Sequence, residues 1–256
     1  MSLSSLTRVA RTFRAKLEAA SPWATRRKSD AELAFWREEI KRYVDWYHGV
    51  TPLYGFACPS EPQKVKSERG MPIDAMETWL RCFQMPKYVG DLQLTGNSFQ
   101  GLRLLDVGCG PFPNLLAFNN CLRIGIDPLV HEYQKVGFPL DVWSNDFTYC
   151  RCKAEDIPFP ARSFDAVVSV NAIDHVDDFA QTAREIRRVL RSPGIFRMHV
   201  HYHRRTVCEP IELNDELFLA HYSWVCGLRK IHEGGSQNLG GTKANPGERY
   251  VVWGNS

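Results

Sequence analysis

From residue 102 onward, short apolar runs alternate with stretches whose apolar positions recur every three or four residues. Residues 103–107, 123–127, 149–154, 164–170 and 195–201 read as strands. Between the last two, Phe179, Ala183, Ile186, Val189 and Leu190 share one helical face. Asp177 or Asp178 supplies a cap at its start, and Pro193-Gly194 a stop. A further helix over 212–225 leads to two closing strands, 228–232 and 249–253, joined by a glycine-rich loop over 234–247. Strands and helices in alternation call for a mostly parallel sheet covered on both faces. Residues 1–95 have a different texture and read as mainly helical. Ser29-Asp-Ala-Glu32 matches a capping box, followed by Leu33, Trp36, Ile40, Tyr43, Val44 and Tyr47 at helical spacing. Residues 49–70 read as a loop, and residues 72–88 as a second helix.

Composition adds few constraints. A chain of 256 residues, 44% hydrophobic and 24% charged, can bury a sizeable core without disulfides or a structural metal. The net charge of +3 is unevenly spread: the first 28 residues hold seven basic side chains and one acid, so the remainder carries −3. That balance argues against nucleic acid as a partner, because phosphate binders carry a clear excess of Lys and Arg. The eight cysteines are scattered, no pair has CxxC spacing, and Cys150-Arg-Cys152 is too tight for a zinc knuckle. They read as reduced thiols of a cytoplasmic protein. The segment from Ser4 to Leu17 is Arg-rich and acid-poor, with Leu6, Val9, Phe13 and Leu17 near helical spacing. It fits a solvated helix packed on the body, a peripheral helix at the inner membrane surface, or a targeting peptide.

The candidate chemistry lies after the first strand, in Asp106-Val-Gly-Cys-Gly-Pro-Phe-Pro113, which is expected to precede a helix. Gly108 and Gly110 let the backbone turn tightly and approach a ligand. Asp127 closes the second strand, where it can accept hydrogen bonds from two ribose hydroxyls. A dinucleotide site shares this logic, but its GxGxxG fingerprint is broken by Pro113. Pro111 and Pro113 also remove NH donors a pyrophosphate needs, and Asp106 would repel it. A cationic sulfonium or α-amino group would be attracted instead.

Five segments together, Leu104-Leu-Asp-Val-Gly-Cys-Gly110, Gly125-Ile-Asp127, Ala154-Glu-Asp-Ile-Pro-Phe-Pro160, Ser163-Phe-Asp-Ala-Val-Val168 and Arg188-Val-Leu-Arg-Ser-Pro-Gly194, resemble the successive motifs of class I S-adenosylmethionine-dependent methyltransferases, in order and spacing. The resemblance covers roughly residues 100–200. It implies an α/β fold: a Rossmann-like three-layer sandwich with a mostly parallel seven-stranded sheet and an antiparallel final strand. The division would be a helical N-terminal extension or lid over 1–95 and a methyltransferase domain over 96–256. It implies S-adenosyl-L-methionine as cofactor, with Asp106, Gly108, Cys109 and Gly110 around its methionine part and Asp127 and Pro128 at the ribose. Ala154, Glu155 and Asp156 would meet the adenine, and Asn171 would lie near the methyl-transfer zone. Two positions depart from the family pattern: Phe112 replaces a third glycine, and Lys153 stands where Asp or Asn is common.

The acceptor is less constrained. An alcohol must lose its proton as the methyl arrives, and a positioned base contributes roughly 10²–10⁴ in rate. His175, in Asn171-Ala-Ile-Asp-His175 after the fourth strand, is the candidate base, with Asp174 to orient it or bind the acceptor; a structural histidine is the competing reading. His199, His201 and His203 share one face at period two. They suit an acceptor pocket or structural packing, and with no acidic partner evident no metal is expected. The Asn/Asp-Pro-Pro-aromatic motif of amino methylation and the Pro-Cys nucleophile of cytosine C5 methylation are both absent after the fourth strand. Trp36, Trp46, Tyr47, Tyr54 and Trp79 suit a sugar-binding lid or a core. The segment Glu209-Pro-Ile-Glu-Leu-Asn-Asp215 resembles stretches in bacterial methyltransferases of surface-glycan and secondary-metabolite pathways. The expectation is O-methylation of a small molecule such as a sugar or glycan precursor. A quinone- or lipid-type acceptor, and a cofactor-binding scaffold without turnover, are the alternatives.

Overall fold

A computed structural model describes residues 22–234 and 247–255. The basic segment from Ser4 to Leu17 and most of the glycine-rich loop lie outside the described residues. Seven strands form one sheet: β1 (Arg103–Val107), β2 (Leu122–Ile126), β3 (Thr148–Cys150), β4 (Phe164–Val170), β5 (Leu190–Tyr202), β6 (Arg229–Gly234) and β7 (Arg249–Gly254). Their order is β3-β2-β1-β4-β5-β7-β6. The first five pair in parallel, and β7 runs antiparallel to both β5 and β6.

Alternation along the strands sorts the two faces. Leu105, Val107, Val167, Phe196, Met198 and Val200 pack under α5 (Phe179–Val189) and α6 (Asp215–Tyr222). Leu104, Ala166 and Val168 face the other way, against Tyr88, Leu92, Phe99, Leu115 and Phe118. The second layer therefore comes largely from residues N-terminal to the sheet. These lie on α2 (Ile73–Trp79), a π-helical turn (Leu80–Gln84) and α3 (Met85–Asp91), which run on as one rod. The π turn falls just before Pro86, where a regular ladder would lose an NH donor. α1 (Pro22–Tyr47) packs on this rod through Tyr43, Trp46 and Trp79, with Tyr43 and Trp79 stacked 5.4 Å apart, and on α4 (Val130–Val136) through Trp36 and Tyr133.

Several element boundaries differ from the sequence reading. Ser29 and Glu32 do not cap a helix start, because α1 already runs from Pro22. The glycine loop is followed by a four-residue 3₁₀ turn (Asn114–Ala117) rather than a full helix. Pro113, its N-cap residue, has no NH to donate. β3 ends at Cys150, four residues earlier than expected. The second N-terminal helix reaches Asp91 rather than residue 88, and α6 is confined to Asp215–Tyr222. Asp178 caps α5, accepting from the Gln181 NH at 2.9 Å, an interaction worth about 1 kcal/mol. Pro193-Gly194 does not stop this helix. It ends at Val189, and the pair lies inside β5, where Leu190 has already joined Phe164 on β4.

Candidate active site

Strand order reverses between β1 and its neighbours β2 and β4, and ligands of open α/β sheets bind beyond the carboxyl ends at such a point. A cavity of about 670 Å³ opens there. Its floor is Val107–Phe112 after β1, Asp127–Leu129 after β2, Lys153–Glu155 after β3 and Val170–Ala172 after β4. Its roof is one stripe of α1, where Lys28, Glu32, Trp36, Glu39 and Tyr43 recur every three or four residues. At 1.5 Å per residue this stripe spans roughly 22 Å.

The floor is shaped by two acids and two glycines. Asp127 Oδ1 accepts from the Leu129 NH at 2.8 Å and Oδ2 from the Gly110 NH at 3.2 Å. Burial nevertheless pushes its pKa up to about 6, against the effect of those two bonds. Asp106 lies fully buried on the β1 face that meets α3. Tyr88 donates its hydroxyl to Oδ1 at 2.5 Å, while Oδ2 has no hydrogen-bond partner. Burial raises the Asp106 pKa to about 7; the Tyr88 bond opposes this, and the negative charge of Asp127 adds to it. Gly108 turns with φ +74°, and a Cβ there would meet the Ala172 Cβ at 2.3 Å. Gly110 has φ +62°, with only Trp36 nearby at 3.9 Å.

At one end of the cavity, His175 Nδ1 lies 3.8 Å from Glu32 Oε2 on α1, and Nε2 lies 3.8 Å from Glu209 Oε1. Lys28 donates to the His175 carbonyl and sits 3.4 Å from Asp177 Oδ1, tying α1 to this loop. Asp174 does not serve His175 as its partner. It is fully buried, and its Oδ2 lies 3.0 Å from His203 Nε2. That bond holds the His203 pKa up at about 9 despite partial burial. His199 is buried in β5 with its ring 5.3 Å from Tyr250, and burial pushes its pKa down to about 4. The acidic partners that the sequence did not reveal for the histidine row are thus Asp174, Glu209 and Glu248, whose Oε2 is 3.2 Å from His201 Nε2.

Among the residues singled out from sequence, Gly108, Cys109, Gly110, Asp127, Pro128, Ala154, Glu155, Asn171 and His175 come together on this one cavity. Asp106 lies beneath the loop rather than on the cavity wall, and Asp156 and Asp174 also lie off it. One oxygen of the Glu155 carboxylate, Oε1, accepts from the Asp177 and Asp178 NH groups at 2.7 and 3.0 Å. Of the five aromatics offered as a lid, Trp36 and Tyr54 reach the cavity, while Trp46, Tyr47 and Trp79 are core. Sequence reading missed Lys28, Glu32, Tyr88 and Glu209. The first two belong to the three-and-four spacing that ends at Tyr43; Glu209 opens the segment Glu209–Asp215 singled out by resemblance, with no role given to it, and Tyr88 left no local signal.

Fold and cavity together have the Rossmann-like arrangement, with a ligand-sized cavity at the switch point of the sheet. Residues 105–198 match the family model described as a methyltransferase domain. Sterol 24-C-methyltransferase ERG6B of Gibberella zeae is 33% identical over 103 residues, 38% of this chain and 27% of that protein. The uncharacterized methyltransferase YcgJ of Bacillus subtilis is 31% identical over 103 residues, 39% of this chain and 41% of its own. O-methyltransferase resE of Aspergillus sclerotiorum is 30% identical over 104 residues, 38% of this chain and 39% of its own. The chain thus spans well under half the length of these curated relatives. The crystal structure of YcgJ from Bacillus subtilis superposes with a TM-score of 0.51 at 18% identity, covering 67% of this chain and 97% of that one, which shows a shared fold.

Proposed function

We propose that the chain is an S-adenosylmethionine-dependent methyltransferase acting on an oxygen of a small molecule, with a sugar or glycan precursor as the acceptor class. The observation that carries this reading is the convergence, on one cavity, of a glycine turn over buried Asp106, the ribose-type acceptor Asp127, and a histidine flanked by two carboxylates. When bound, the cofactor supplies an electrophilic methyl group on a sulfonium. The protein's residues divide the remaining work. Asp106 places a buried carboxyl group, one oxygen of which has no partner among the described residues, beneath the loop; a cationic group nearby favours its ionised form, whereas a pyrophosphate disfavours it. Asp127, oriented by the Gly110 and Leu129 NH groups, accepts from ribose hydroxyls. Glu155, held by the Asp177 and Asp178 NH groups through Oε1, and the backbone of residues 153–155 meet the adenine. Asn171, whose Oδ1 is buried without a partner, faces the transfer zone.

His175 takes the acceptor's proton, and Glu32 and Glu209 orient the ring and offset the charge it gains. α1 acts as the lid, latched by Lys28, and excludes water while acceptor and methyl are aligned. The polar end of the cavity, with Lys28, Glu32, Thr206 and Glu209, suits a polyhydroxylated acceptor. The wall of Trp36, Tyr43, Tyr54, Phe83 and Phe112 favours a second reading, an apolar ring-bearing acceptor of quinone or lipid type. Among the described residues no helix is long and apolar enough to cross a membrane.

Calorimetric titration tests the cofactor. S-adenosylmethionine and S-adenosylhomocysteine are expected to bind with micromolar affinity, and Asp127→Ala to lose that binding; binding of NADH alone would overturn the reading. Transfer of a radiolabelled methyl group to a panel of hexoses, nucleotide sugars and hydroxylated quinone precursors then separates the acceptor classes. Label on the sugars supports the first reading and label only on the quinones the second. Cofactor binding with no labelled product supports a scaffold. On any acceptor turned over, His175→Gln is expected to lower kcat by about 10²–10⁴ with cofactor affinity unchanged. Unchanged kcat would remove His175 from the mechanism.

A further inference from the structure

The row of imidazoles at the end of β5 ends in a cluster that methyl transfer, as described, does not need. His203 Nδ1 lies 2.6 Å from the Arg204 carbonyl oxygen, to which it donates. Its Nε2 points at carboxylates, 3.0 Å from Asp174 Oδ2 and 3.8 Å from Glu209 Oε2. The His201 ring lies 4.6 Å from that of His203. Ligand atoms of His201, His203 and Glu209 all fall within 4.8 Å of one another, and so do those of Asp174, His175 and Glu209. Two donors each about 2.1 Å from a tetrahedral ion lie roughly 3.4 Å apart, and the distances of 3.0 and 3.8 Å fall on either side of that spacing.

Two further features point to a cation. Metal-binding histidines commonly donate their second ring NH to a backbone carbonyl, which fixes the tautomer, and His203 makes that bond with Arg204. A buried donor atom is also left over: among the described residues the Oδ1 of fully buried Asp174 has no hydrogen-bond partner, while its Oδ2 is paired with His203. A buried carboxylate oxygen is costly unless a donor or a metal ion meets it.

We propose that His201, His203, Glu209 and Asp174 bind one divalent transition-metal ion in the cavity wall beside His175. Mixed imidazole and carboxylate donors suit Zn²⁺ or Mn²⁺ better than a soft, thiolate-seeking ion. Glu209 lines the cavity, whereas His201, His203 and Asp174 lie behind its wall, so the ion would reach an acceptor oxygen only through an open position on its Glu209 side. Binding of the ion is independent of the methyl-transfer reading; its use on an acceptor rests on that reading.

The test uses the full chain, stripped with a chelator and titrated separately with Zn²⁺, Mn²⁺ and Co²⁺. One equivalent is expected to bind with micromolar affinity or tighter. The Co²⁺ spectrum should lack a thiolate charge-transfer band, which separates this site from Cys150 and Cys152. His203→Ala should weaken binding at least 30-fold while keeping S-adenosylmethionine affinity within twofold. If that variant does not fold, His201→Gln carries the same comparison. No binding by the wild type, a thiolate band, or binding unchanged in a folded variant overturns the site. S-adenosylmethionine binding without metal binding removes the ion and leaves the methyltransferase reading. Metal binding without S-adenosylmethionine binding does the reverse.

Discussion

Asp106→Asn is expected to make the ligand-free protein more stable at pH 8 and to weaken S-adenosylmethionine binding about 10-fold or more. The reason is the environment of the carboxyl group, which is fully buried with one oxygen lacking a partner and a pKa raised from 3.8 to about 7. Asp127 is shifted the same way, to about 6. The sign follows from proton counting. Between about pH 4 and pH 7 the folded protein holds protons on these groups that the unfolded chain has released. Stability therefore falls as pH rises through that window, and the cost is complete above it. At 1.36 kcal/mol per pKa unit, the Asp106 share is at most about 4 kcal/mol. The amide removes that share and can still accept from Tyr88 through Oδ1. Thermal unfolding of wild type and variant at pH 5 and pH 8 checks this: the variant should gain several degrees at pH 8 and roughly a third to a half of that gain at pH 5. The same linkage makes the wild type bind the cationic cofactor more tightly as pH rises from 5 to 8. A variant less stable at pH 8, or equal in cofactor affinity, would show that Asp106 serves the fold rather than the ligand. The trade is a familiar one, in which a site built for a ligand destabilises the protein without it.

Gly108→Ala is expected to cost about 2–5 kcal/mol of stability and to abolish measurable cofactor binding, whereas Gly110→Ala should cost about 1–2 kcal/mol. Both residues sit in the left-handed region, where an added Cβ is strained. They differ in what that Cβ would meet. At Gly108 it would lie 2.3 Å from the Ala172 Cβ, so the turn after β4 would have to move, taking Asn171 with it. Overpacking of this sort costs roughly 1–3 kcal/mol beyond the backbone strain. At Gly110 the nearest neighbour is Trp36, at an ordinary 3.9 Å. Denaturant unfolding beside cofactor titration separates the two; equal losses would mean that backbone strain alone decides. The contrast identifies Gly108 as the point where the loop after β1 and the loop after β4 are held against each other.

Much of this molecule was legible along the chain. β1 and β4 fall where the apolar runs place them, Asp178 caps α5 as its position implies, and Gly108, Gly110 and Asp127 meet on one cavity. Each of these depends on local chemistry: strand periodicity, a side-chain oxygen three residues before an NH, or a backbone angle that favours glycine. The capping box failed because a short motif competes with the helix on either side of it, and α1 was long enough to run through. The pairings that shape the site come from elements far apart in sequence, and only the tertiary structure decided them. Asp174 turned from its neighbour His175 to His203, 29 residues away, because the turn after β4 and the end of β5 lie side by side in the sheet. Tyr88 reached Asp106 because α3 covers the β1 face that alternation assigns to that carboxylate. Glu32 meets His175 only because α1 lies across the open ends of the strands, and Glu209 because the segment after β5 returns to the turn after β4, where the Ile211 NH donates to the Asp174 carbonyl. Periodicity tells which face a residue occupies, but not which distant side chain will be packed against it. That is settled by the order of strands in the sheet and by the helix that covers them.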